Sequence, residues 1–137
     1  MTIERNHMAR IVLGRRPKNF KHNIMVPLLD GSTGSIEVVF IYRTRTEFGV
    51  MIDGLMDDAG VKPAGDDDES QKLSLAQAME RTKETNADYI LKVAEGWNLE
   101  SEFNRENIAQ LCDEVPAAAM AIMNAYRTAI TEGKLGN

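Results

Sequence analysis

The stretch from Ala94 to Asn137 leaves its backbone few options. Asn104 stands ahead of Arg105-Glu106-Asn107-Ile108 as an N-cap candidate, and Phe103 with Ile108 has the N′-to-N4 spacing of a hydrophobic staple. Ile108, Leu111, Cys112 and Val115 then recur on one helical face. Val115 precedes Pro116, which disfavours the α region, so this helix is expected to stop at about Glu114. Pro116 loses nothing in the first turn of a following helix, where its absent N–H would have had no intrahelical partner. Ala119, Ile122, Met123, Tyr126 and Ile130 give that helix its stripe, and Gly133 ends it. Upstream, Gly96 reads as the left-handed residue closing an earlier helix, because a missing Cβ removes the steric penalty there. Trp97, the single tryptophan, then falls at a corner where three helices converge. Trp97, Phe103 and Tyr126 are therefore expected as packing anchors ahead of partner contacts.

The first third of the chain has a different period. Phe20–Leu29 and Ser35–Arg43 flank Asp30-Gly-Ser-Thr-Gly34, a five-residue hairpin loop by composition. Ile36, Val38, Phe40 and Tyr42 alternate with Glu37, Val39, Ile41 and Arg43, which gives one apolar and one half-apolar face. Pro27 lacks a ladder donor and points to an edge strand or a bulge. Arg10-Ile-Val-Leu-Gly14 reads as a further short strand, ended by Gly14-Arg-Arg-Pro17. Residues 1–9 are polar, without period, and expected to fray.

Between these regions, Thr44-Arg-Thr-Glu47 has capping-box spacing, and Phe48, Met51, Ile52 and Leu55 follow at helical intervals, predicting a helix over about 46–58 that stops near Gly60. Residues 61–72, with Pro63, Gly65 and Asp66-Asp-Asp-Glu69, read as a flexible acidic loop. The four carboxylates lack the alternating spacing and closing Glu of a calcium loop. Ser74-Leu-Ala-Gln77 opens a helical stretch to about Glu95, either continuous or broken near Asn86, where the middle is polar. The fold class is α+β: a small antiparallel sheet built on the 20–43 hairpin, packed with four to five helices, in a single domain over residues 1–137.

Composition narrows the function. A chain of 137 residues can bury a core without disulfides. The lone Cys112 falls at an apolar helical position and reads as a structural thiol in a reducing compartment. No signal-peptide pattern opens the chain, and the apolar run Ile36–Tyr42 is too short for a membrane span. The net charge of −5 is unevenly spread: residues 1–46 carry eight Lys/Arg against three Asp/Glu, and residues 47–137 carry eight against eighteen. That asymmetry points to contact between the halves or with partners of opposite sign.

Catalytic patterns are missing. His7 and His22 have no ligand-spaced companions, Gly31-Ser-Thr-Gly34 is a turn without the spacing of a nucleophile elbow, and Gly133-Lys134 has no glycine-rich lead. The pairs Glu80/Glu84 and Asp113/Glu114 read as solvated helix surface. The expectation is therefore no catalytic residue, no metal site and no cofactor. Arg10, Arg15, Arg16, Lys18 and Lys21 with Phe20 make a basic patch, a weak nucleic-acid signal against the acidic whole. Eight methionines, a half-apolar sheet face and a Met/Ala-rich last helix suit a chain that covers another protein's apolar segment.

The order Asp88-Tyr-Ile-Leu-Lys-Val-Ala-Glu-Gly-Trp97, then Phe103-Asn104, Ile108 and Leu111, then Pro116, then Ala121-Ile122 and Ala125-Tyr126, ending Gly133-Lys-Leu-Gly-Asn137, resembles the tail assembly chaperones of long-tailed bacteriophages. The likeness is strongest over residues 86–137, and Trp97, Phe103, Asn104, Ile108, Pro116 and Tyr126 carry it. The resemblance implies a non-enzymatic protein of the host cell cytoplasm that binds the tape measure protein, keeps it soluble and assists tail tube polymerisation. The implied partners are the tape measure and tail tube proteins, with self-association open, no membrane, and nucleic acid disfavoured. The alternative is a structural tail or head–tail component retained in the virion. No residue type marks the partner-contact positions.

Overall fold

The computed structural model describes residues 8–60 and 74–135. The expected acidic loop at 61–72, the fraying of residues 1–7 and the placement of His7 lie outside these residues. Among the described residues seven elements follow in order: β1 (Asn19–Pro27), β2 (Thr33–Ile41), α1 (Arg45–Asp58), α2 (Leu75–Val93), β3 (Ala94–Trp97), α3 (Arg105–Glu114) and α4 (Pro116–Glu132). The three strands form one antiparallel sheet in the order β1-β2-β3, and the C-terminal part is helical, so the α+β expectation holds.

The hairpin forms where alternation placed it, with both strands beginning and ending one or two residues earlier than predicted. Phe20 pairs with Phe40, Ile24 with Ile36 and Pro27 with Thr33. The Leu28 N–H donates to Ser32 O at 2.9 Å, and Gly31, at φ 88°, takes the left-handed position that closes the turn. Ile24, Val26, Ile36, Val38 and Phe40 are buried under the helices, while Lys21, Asn23 and Met25 point to solvent. Period two thus puts the helices on one face of the sheet. Pro27 ends an edge strand, where a missing donor costs no ladder bond.

Cap chemistry sets the helix boundaries. At α1 the Glu47 N–H donates to Thr44 Oγ1 at 3.2 Å and the Thr44 N–H donates back to Glu47 Oε1 at 2.9 Å. Ser74 and Gln77 repeat the arrangement at α2, which runs unbroken through Asn86. The Asn107 N–H donates to Asn104 Oδ1 at 2.8 Å, Val115 leaves the helical region at φ −132°, and Pro116 opens α4. Gly133 closes α4 at φ 73°.

Three expectations need correction. Residues 10–14 form no strand: Ile11 and Leu13 are 90% and 94% exposed, and local β-propensity with neither ladder pairing nor burial does not hold a strand. Gly96 is not a left-handed helix terminator. Helix α2 already ends at Val93 with Ala94 extended, and Gly96 pairs with Val39 in β3, so ladder pairing with β2 overrides the local signal. Trp97 accordingly ends an edge strand of the sheet, opposite Val38, and is not at a junction of three helices. Helix α1 itself runs over Arg45–Asp58 close to the expected bounds, and of its stripe only Leu55 is buried.

Candidate functional site

The motif residues separate into two places. At the first, the Trp97 indole N–H donates to Ser101 O at 2.7 Å and its ring meets Phe103 edge-on, centroids 5.1 Å apart and planes at 89°. Both rings are partly buried, Asn104 caps α3 beside them, and Ile108 is fully buried beneath. Arg105 ties the start of α3 to α2 through Glu84 at 2.7 Å and Asp88 at 2.9 Å. Trp97, Phe103, Asn104 and Ile108 thus form one local corner, and Pro116 stands exposed at the start of α4. Cys112 is buried on α3, and desolvation pushes its thiol up to about 11, which keeps it protonated and unreactive at neutral pH.

Tyr126 belongs to the second place. It is fully buried, with its ring centroid 5.2 Å from Phe40, 5.8 Å from Phe48 and 6.3 Å from Phe20. Its hydroxyl donates to Ile41 O at 2.8 Å and accepts from Arg43 Nη1 at 3.2 Å. One side chain of α4 therefore holds β1, the end of β2 and the start of α1 together. Burial raises the phenol's pKa, so the hydroxyl remains a donor across the physiological range.

Beside this cluster lies an apolar pocket of about 350 Å³, lined by Pro17, Phe20, Tyr42, Ala129, Ile130 and Leu135 with Gly133 and Lys134. Leu135 stands half exposed at its rim. The Arg16 guanidinium lies 5.4 Å from the Tyr42 ring centroid and pairs with Glu47. Hydrogen bonds from Thr44 and Arg16 hold that carboxyl below its usual range. The Lys18 carbonyl accepts from the Tyr42 N–H at 3.0 Å, which fixes the chain where it enters β1. A smaller groove of about 200 Å³ runs between β1 and α4, past His22, Met25, Ala121 and Ala125.

The basic patch read from the sequence is divided by this geometry. Lys21 projects from the outer face of the sheet, Arg16 is committed to Tyr42 and Glu47, and Phe20 turns inward onto Tyr126. The one aromatic of the patch is therefore partly buried against the core and set apart from Lys21. The pocket itself had no sequence signal, because its walls come from residues 17–20, 42 and 129–135, distant in the chain. Among the described residues no group of three or more His, Cys, Asp or Glu is placed to hold a metal ion, and no helix is long and apolar enough to cross a membrane.

A protein-family model described as phage tail assembly chaperone matches residues 8–137, nearly the whole chain. No curated protein and no solved structure matches.

Proposed function

Because the chain belongs to the phage tail assembly chaperone family, we propose that it binds the tape measure protein, keeps it soluble and assists polymerisation of tail tube protein around it. The family match is the observation that carries this reading. The work is non-enzymatic and takes place in the host cell cytoplasm, with the tape measure and tail tube proteins as partners. Physically, such a chaperone withholds apolar surface of its partner from water, since apolar area left exposed drives aggregation. The half-exposed Leu135 beside an open apolar pocket supports that role, as does the run of exposed Met8, Ile11 and Leu13. The chain folds as one domain over its length, and Trp97, Phe103, Asn104, Ile108, Pro116 and Tyr126 serve packing that presents the binding surface.

Co-expression tests the reading. With this chain the tape measure protein of the same genome is expected in the soluble fraction and co-purifying; unchanged solubility without co-purification removes the proposal. Mass spectrometry of purified particles separates a chaperone, absent from the particle, from a structural tail component, present at fixed stoichiometry.

A further inference from the structure

We propose that two copies of this chain pair through the free edge of β1, antiparallel about a two-fold axis at His22, so that their sheets become one. The inference stands apart from the chaperone reading, because it involves no tail protein. Among the described residues no strand bonds to that edge, since β1 is the first strand in the order β1-β2-β3.

The ladder fixes which backbone groups are left over. The Tyr42 N–H donates to Lys18 O at 3.0 Å at one end of the hairpin, and the Leu28 N–H donates to Ser32 O at 2.9 Å at the other. Directly opposite residues exchange bonds at every second position, so Phe20, His22, Ile24 and Val26 turn their N–H and C=O toward β2. Glu37 gives the same parity from the far side of β2, where its carbonyl accepts from the Asn98 N–H at 3.1 Å. The N–H and C=O of Asn19, Lys21, Asn23 and Met25 therefore face outward, unused by the sheet. Such a row is matched by another extended backbone. The opposite edge is blunted: β3 is 4 residues long, and its pairing slips between Val39 and Phe40. β1 runs for 9 residues in unshifted register, with Pro27 confined to its end.

Self-pairing has one register that satisfies this edge. With His22 of one copy opposite His22 of the other, Asn19 faces Met25 and Lys21 faces Asn23, each pair repeated by symmetry. Every outward donor from Asn19 to Met25 then meets an acceptor, and Pro27 falls beyond the paired segment. An axis at Lys21 would set two ammonium groups opposite each other, and an axis at Asn23 would bring Pro27 opposite Asn19, where a bond is lost. The join at His22 also covers Met25, which is 56% exposed. On the helix side there is room for it. The groove of about 200 Å³ between β1 and α4 has Asn23 and Met25 on its strand side and Ala121, Ala125 and Thr128 on its helix side. Small side chains there let the α4 helices of the two copies approach across the axis.

Analytical ultracentrifugation of the full chain, with amide exchange read residue by residue by NMR, tests the pairing. A dimer is expected, with the Lys21, Asn23 and Met25 amides slowed as protein concentration rises through the dimer transition. Asn23→Lys places a cation opposite Lys21 of the second copy and is expected to raise the dimer Kd by ~10-fold or more, less at high salt. Adding Lys21→Glu to that variant sets opposite charges face to face and should restore the wild-type Kd. Both positions are exposed, and circular dichroism checks that each variant keeps its fold. A chain that stays monomeric at every concentration overturns the proposal, as does a dimer that leaves those amides in fast exchange. A Kd unmoved by folded Asn23→Lys, or not recovered in the folded double variant, overturns pairing about His22. Where a variant does not fold, the concentration dependence of amide exchange in the wild-type chain decides.

Discussion

The Trp97 corner and the Tyr126 cluster are both built from aromatic rings set at an angle, but they hold different amounts of the molecule. Trp97 meets Phe103 and Ser101, six and four residues away, so the corner closes a local loop between β3 and α3. Tyr126 meets Phe20, Phe40 and Phe48 and bonds to Ile41 and Arg43, so it joins four elements across the chain. The largest side chain is thus not the central one. Contact with sequence-distant elements and a satisfied buried hydroxyl make Tyr126 the tertiary anchor, and the pocket lies against it.

Substitutions should separate the two regions. Tyr126→Ala removes a fully buried ring and is expected to cost about 3–5 kcal/mol, measured by urea unfolding, enough to leave much of the chain unfolded. Trp97→Ala, at a partly buried site, should cost about 2 kcal/mol and raise hydrogen exchange mainly in β3 and α3. An equal or larger loss at Trp97 would reverse the ranking. Tyr126→Phe keeps the rings but strands Ile41 O and Arg43, at about 1.5 kcal/mol. Asn104→Ala deletes one cap bond at the corner, at about 1 kcal/mol, with fraying confined to α3.

The smallest effect should be the pH dependence at Cys112, whose share of stability changes only in alkali. Burial raises the folded thiol from 9.0 to about 11, so the native state holds its proton after the unfolded state has lost it. That contribution is present below pH 9 and is lost as pH rises through about 11. Cys112→Ala should flatten the alkaline fall in stability, and an unchanged slope there would contradict the assignment.

Much of the fold was legible because capping is local chemistry. Thr44, Ser74, Asn104, Pro116 and Gly133 each act within a few residues of their own position, and the helices begin or end where they stand. Strand alternation in 33–41 was equally readable, since its buried face is set by a period of two. The sequence misled where a distant partner decides. Gly96 has the local profile of a helix stop, yet β2 recruits it into a ladder, and the strand-like residues 10–14 pair with no strand. The pocket was invisible for the same reason: nothing near Leu135 in the sequence announces Tyr42 or Pro17.

Hydrogen exchange of the chain with and without bound tape measure protein bears most directly on the division between anchor and corner. Protection is expected at residues 17–20, at Tyr42 and along 129–135, with β3 and the start of α3 exchanging as in the free chain. Protection centred on Trp97–Val115, with the Tyr126 end unchanged, would place the binding surface on the corner instead and contradict the assignment.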